Sequence, residues 1–165
     1  MSKLSFGFLV LAVAMAAIAP GLAAAGPTLV PANVPYDSEG VIPENVVREC
    51  TRLGTKIATF TKQYADKNGT PVELVDEIDF GTAPSALRVE IFNVVSSGNA
   101  FIGHNKSMSV RVELLSGGEV KAKTSLSRNS MGGFGAGFKG SCSVLGRVTK
   151  ALGQDIADWL SQQQR

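Results

Sequence analysis

Four clusters in this chain have residue types and spacings that could do chemistry. The most conspicuous is Gly135-Ala136-Gly137-Phe138-Lys139-Gly140, which satisfies G-x-G-x-x-G. In that pattern, glycine backbone at a helix start cradles a phosphate. Two features argue against a nucleotide here. Only one helix follows the motif, so no second parallel strand completes a βαβ unit. Lys139 precedes Gly140 rather than Ser or Thr, so the phosphate-loop pattern fails. The favoured reading is a backbone crossing that needs small residues to pass close to a sheet. Gly140-Ser141-Cys142-Ser143 loosely resembles a nucleophile elbow, but Val144 stands where the second glycine belongs.

The other clusters are weaker. His104, the single histidine, sits in Gly103-His104-Asn105-Lys106, which reads as a loop. One histidine and a bonded cysteine pair cannot assemble the usual zinc ligand set. Asp76-Glu77 and Asp79 offer carboxylates of the kind that hydrolyse glycosides, given a cleft and a defined separation. The plainer reading is one charged strand face and a turn residue. No combination makes a catalytic set. The expectation is therefore a protein that is not an enzyme, with no catalytic residue, no cofactor and no metal. Phe101-Ile102 in a Gly/Asn-rich loop, with Phe134 and Phe138, are the candidate apolar contacts for a partner. Folding inward is the other reading of each.

The remaining reactive pair is Cys50 and Cys142, the only cysteines. Their chemistry depends on compartment, and the N-terminus addresses that. Lys3 precedes an apolar run from Leu4 to Ile18, Pro20-Gly21 breaks it, and Ala23-Ala24-Ala25 follows. That is the layout of a cleaved signal peptide over residues 1–25, with cleavage between Ala25 and Gly26. The run is short for a membrane span, so no stable membrane anchor is expected after cleavage. No cysteine lies at the cleavage site to take a lipid. The chain is expected to be periplasmic or secreted, where a Cys50–Cys142 disulfide can form. Lys and Arg total 16 against 14 Asp and Glu in 165 residues, and they are scattered. A near-neutral chain without a basic stripe gives no footprint for nucleic acid.

The elements that must position these residues follow from periodicity. Residues 26–43 hold Pro27, Pro31, Pro35 and Pro43 and read as a Pro-rich extended arm. Val46, Val47, Cys50, Leu53, Ile57, Phe60 and Tyr64 draw a helical stripe from Glu44 to about Lys67, with Pro43 at its start and Asn68-Gly69 at its end. The period then becomes two. Strands are marked by Val72 to Phe80, by Leu87, Val89 and Ile91, by Met108 to Leu114, and by Val120 to Leu126. Ser116-Gly117-Gly118 is a tight turn between the last two. Ser141 is placed to cap a final helix carrying Cys142, Leu145, Val148, Leu152, Ile156, Trp159 and Leu160, and residues 161–165 read as a disordered tail.

The expected fold is α+β: a two-layer sandwich, a four-stranded antiparallel sheet with two helices packed on one face, the helices joined by the disulfide. The α+β domain spans 44–160. The bridge closes a loop of about 90 residues, which the loop-entropy model values at roughly 4 kcal/mol. It also requires the two helices to run parallel. For that, the Gly-rich stretch must cross back along the sheet between Asn129 and Gly140, about 12 residues that reach roughly 30 Å when extended.

Arg128-Asn129-Ser130, the run from Gly132 to Cys142, the helix end Asp155-Ile156-Ala157-Asp158-Trp159-Leu160 and the upstream Cys50-Thr51-Arg52-Leu53-Gly54 resemble bacterial envelope proteins of the domain-of-unknown-function 4410 grouping. Many of those are lipoproteins; this chain departs from them in lacking a lipidation cysteine. The resemblance implies an envelope α/β domain and no catalytic residue to carry over. The leading functional expectation is an exported non-enzymatic domain that binds an envelope protein. The alternative is a small-ligand or hydrolytic site near the Gly-rich crossing and His104.

Overall fold

The computed structural model describes residues 26–99, 103–131 and 140–165. Among them the order is β1 (Thr28–Pro31), β2 (Tyr36–Val41), α1 (Glu44–Glu49), α2 (Leu53–Lys67), β3 (Val72–Val75), β4 (Ala86–Asn99), β5 (Gly103–Ser116), β6 (Glu119–Ser130) and α3 (Ser141–Gln163). The fold is α+β, as expected, but the sheet is neither four-stranded nor purely antiparallel. It has six strands in the order β3-β1-β4-β5-β6, with β2 also on β4. The β4–β5–β6 meander is antiparallel, while β1 pairs parallel with β3 and β4, and β2 pairs parallel with β4.

The two extra strands come from the Pro-rich segment 26–43. It runs extended, but inside the sheet. Thr28, Leu29 and Val30 donate or face regular partners on β3, and the Thr28 amide donates to the Pro71 carbonyl at 3.0 Å. Proline costs little here because Pro31 and Pro35 stand at strand ends, where a missing N–H breaks no ladder bond. The Pro35 carbonyl even accepts from the Ile91 amide at 2.9 Å. Conversely, the expected strand 72–80 is only four residues long, and residues 76–85 form a connection instead.

The single helix expected over 44–67 is two helices broken at residues 50–52. Pro43 is the N-cap of α1 and Asn68 the C-cap of α2, with Gly69 at φ +71° beyond it. The N-cap of the final helix is Gly140 rather than Ser141, so the helix starts without a side-chain cap bond. It continues to Gln163, through the segment expected as a tail. Gln164 then donates from Nε2 to Thr28 Oγ1 at 2.9 Å, tying the chain's last turn to its first strand. Gly117 and Gly118 both have positive φ, as a two-residue hairpin turn between twisted strands demands.

Cys50 and Cys142 are bonded, with Cα atoms 5.3 Å apart. The helices α2 and α3 pack side by side and run parallel. Lys56 lies beside Gly146, Phe60 and Thr61 beside Gly153, and Asn68 donates to Asp158 at 2.9 Å. Gly153 permits this approach: a Cβ there would meet the Phe60 Cβ at 2.5 Å. The crossing at residues 132–139 lies outside the described residues.

One core joins the layers. Leu87, Val89 and Ile91 of β4 and Met108, Val110 and Val112 of β5 are buried against Ile57, Leu145, Leu152 and Ile156. A bulge keeps this face continuous. Ile91 registers with Val110 and Asn93 with Ser109, so Phe92 is the extra residue and Val94 returns to the buried side. Arg128 of β6 clamps α3 from the edge, donating from Nε and Nη2 to both oxygens of Asp155 at 2.6 and 2.7 Å.

Candidate functional site

No described helix lies over the opposite face of β4 and β5; the 76–85 connection crosses one end of it, with Phe80 on Arg88 and the Ala83 carbonyl accepting from the Gly117 amide at 2.9 Å, and the side chains on the rest are arranged rather than random. Arg88 and Glu113 are register partners, joined at 2.9 Å. Two residues further along, Glu90 and Arg111 are partners with the signs exchanged. Arg111 Nη1 reaches Glu90 at 3.5 Å and Asp37 of β2 at 3.1 Å. Each guanidinium also lies over an aromatic ring: Arg88 over Phe80 at 4.7 Å and Arg111 over Phe92 at 5.3 Å. The bulge supplies Phe92, and the 76–85 connection supplies Phe80.

Two open grooves lie along this strip, one reaching Arg88 and Glu90 and the other Phe92 and Arg111. The first, about 270 Å³, is lined by the apolar Pro31, Pro35, Ile78 and Phe80 together with Asp76, Arg88 and Glu90. The second, about 580 Å³, lies between Asp37, Glu39, Gly40, Val41, Phe92 and Arg111. Val41 is 75% exposed and Val95 38%, which places apolar surface beside the charges. Asp37, Glu90 and Glu113 each pair with an arginine, whereas Asp76 and Glu39 on the groove walls make no ion pair among the described residues. Each Arg keeps further N–H donors beyond those bound to its carboxylates.

Electrostatics follow the hydrogen bonds. The Glu39 amide, donating at 3.0 Å, and then Arg111 hold the Asp37 carboxyl below the usual carboxylate range. The Thr82 hydroxyl at 2.8 Å and the Gly81 amide at 2.9 Å do the same for Asp79. Asp79 is thus the cap of the 79–82 turn. Asp76 and Glu77, read as part of a strand face, stand exposed in the connection after β3.

The other expected site residues scatter. Gly26 is exposed and opens the described chain, while Ala25 and the leader lie outside the described residues. So do Phe101, Ile102, Phe134 and Phe138, and all of the Gly-rich motif except its last residue, Gly140. Residues 103–106 are not a loop: they open β5, with His104 in register with Gly98, though the His104 side chain is outside the described set. Cys142 is bonded, so the elbow-like sequence has no free thiol. Among the described residues no group of three or more His, Cys, Asp or Glu could hold a metal ion. No helix among them is long and apolar enough to cross a membrane.

Two features of this sheet are not evident from any one segment. Arg88, Glu90, Arg111 and Glu113 were legible as a charged face, but the mirrored signs on the two strands were the available signal of cross-strand pairing. Lys106 is in phase with Met108 and Val110, which marks it as inward-facing once β5 is extended backward. It is 2% exposed, burial lowers the pKa of its amine, and Nζ donates to Ser96 Oγ at 3.0 Å.

No protein-family model matches the chain, and no curated protein sequence does. Solved structures resemble it in fold. The PelC dodecamer from Paraburkholderia phytofirmans aligns with TM-score 0.50 and 14% identity over 79% of this chain and 86% of that one. A minor lipoprotein from Acinetobacter baumannii aligns at 0.47 and 14% over 83% and 92%. A Xanthomonas campestris protein of the domain-of-unknown-function 330 family aligns at 0.49 and 12% over 84% and 86%. At these identities the likeness concerns the fold alone.

Proposed function

We propose that this chain is an exported, non-enzymatic protein that binds another cell-envelope component through the outer face of β4 and β5. The observation that carries the reading is the paired Arg–carboxylate strip, stacked on Phe80 and Phe92 and bordered by two open grooves. Aromatic and arginine side chains at a shape-defined surface are the residue types that anchor protein partners. Export is supported by the leader at 1–25 and by a disulfide, which persists in oxidising compartments. The resemblance to the domain-of-unknown-function 4410 grouping points to the same compartment.

The test uses the full chain expressed with its own leader in a bacterial host. The exported protein is expected to begin at Gly26 by mass spectrometry. Cross-linking in the intact envelope is expected to give a discrete adduct that falls at least about tenfold in Arg88→Glu/Arg111→Glu, because a mismatched charge at an interface costs several kcal/mol. Retention of the leader in the cytoplasm, or an adduct indifferent to both charges, overturns the reading.

A further inference from the structure

Among the described residues, each groove on the outer face is lined by two carboxylates and one arginine, and by no lysine. The first has Asp76 and Glu90 with Arg88; the second has Asp37 and Glu39 with Arg111. The arginines are already engaged, Arg88 with Glu113 and Arg111 with both Asp37 and Glu90. The Glu39 amide, and then Arg111, hold the Asp37 carboxyl below the usual range, so Asp37 stays charged at neutral pH and keeps Arg111 in place. Asp76 and Glu39 are exposed and make no ion pair among the described residues. Each groove is therefore left with one negative charge that has no cation against it.

Apolar surface lies beside each of these two carboxylates. Asp76 shares its groove with Pro31, Ile78 and Phe80, and Glu39 shares the other with Val41 and Phe92. A lysine or arginine side chain has an apolar stem that covers such surface and a cationic head that takes the carboxylate. The grooves touch β4 at Glu90 and at Phe92, two residues and roughly 7 Å apart along a strand. In an extended segment, side chains at alternate positions point to one side with that same spacing. The remaining N–H groups of Arg88 and Arg111 are donors for the backbone carbonyls of a segment laid between them.

We infer that the partner presents an extended segment with basic side chains at two alternate positions, one seated against Asp76 in the first groove and the other against Glu39 in the second. This rests on the outer face being the docking surface, and it adds the chemistry of what docks there.

The probe is a short labelled peptide alternating lysine and threonine, with a glutamate–threonine peptide as its counterpart. Fluorescence anisotropy with the exported, disulfide-bonded chain reads the binding. The lysine peptide is expected to bind, more weakly as salt is added, and the glutamate peptide is not. Glu39→Lys/Asp76→Lys is expected to weaken the lysine peptide at least about tenfold, because like charges then face one another. Glu44→Lys/Glu73→Lys changes the net charge equally at exposed positions outside both grooves. Its effect is expected to stay within about twofold, since separated exposed charges are screened. All four positions are exposed, and retention of cooperative unfolding checks that each variant is folded. A lysine peptide that does not bind, equal binding of the two peptides, or an equal loss in the two double variants overturns the inference. In the intact envelope, Glu39→Lys/Asp76→Lys is expected to lower the adduct as Arg88→Glu/Arg111→Glu does. An adduct lost with the arginines but unmoved by the two carboxylates overturns the basic partner alone. An adduct indifferent to the arginines and the carboxylates alike overturns the outer-face reading, and the basic partner with it.

Discussion

The two faces of β4 and β5 are built from alternate residues of the same strands and do opposite work. Leu87, Val89, Ile91, Val110 and Val112 point into the helix layer and are buried. Arg88, Glu90, Arg111 and Glu113 point the other way and pair across the strands. Burying one aliphatic side chain is worth about 1.5–3 kcal/mol. An exposed ion pair is worth about 0–1 kcal/mol, because water already solvates both charges. Stability is therefore concentrated on one face, and substitutions on the other are expected to cost little folding free energy.

The largest way to break this contrast is at the bridge that fastens the helix layer. Cys50→Ser/Cys142→Ser, or reduction, is expected to lower unfolding free energy by about 4 kcal/mol, since a long loop in the unfolded chain is released. Urea unfolding with and without reductant measures it; an unchanged midpoint would show that the packed layer holds without its staple. Next comes a paired substitution across one strand pair. Ile91→Ala is expected to cost about 3 kcal/mol through lost burial and a cavity. Arg111→Ala should cost about 1 kcal/mol or less. Equal losses would refute the division of labour between the faces.

The smallest effect is on pH dependence. The folded-state pKa values of Asp37 and Asp79 are lowered by hydrogen bonds. Unfolded, such carboxyls titrate near about 3.9. Their contribution is thus complete above that value and is lost as pH falls through the lower, folded values. Asp79→Asn should flatten the acid limb of stability without moving the neutral-pH unfolding signal of the core. An acid limb identical to wild type would mean that the 79–82 turn does not depend on its carboxylate.

Much of this molecule is legible locally. Period-two alternation marks β4, β5 and β6, because a half-buried strand must alternate. The apolar stripes mark α2 and α3, and Gly117-Gly118 marks the hairpin. The helical register of Leu145, Val148, Leu152 and Ile156 survives intact in the core. The bridge was also legible, because two cysteines on two apolar helical stripes, in a chain expected to be exported, leave few other partners. With it came the parallel helices, since Cys50 and Cys142 stand at the starts of α2 and α3.

Other features were decided only by the assembled fold. β1 and β2 lie in a proline-rich segment with no alternation to betray them. Their partners, Val72 to Val75, Ala86, Ile91 and Asn93, are far along the chain, and parallel pairing leaves no turn signature between strands. The break at residues 50–52 follows no proline or glycine pair; it coincides with the bonded Cys50, whose carbonyl accepts from the Tyr36 hydroxyl at 3.4 Å. The aromatic rings beneath Arg88 and Arg111 come from a connection and a bulge, so neither spacing is written in one periodic segment. Sequence alone determined which residues leave water and how the chain is stapled, because burial and bridging depend on residue type. Tertiary structure decided what the outer face of β4 and β5 presents, because β2, the 76–85 connection and the Phe92 bulge meet there only once the sheet has assembled.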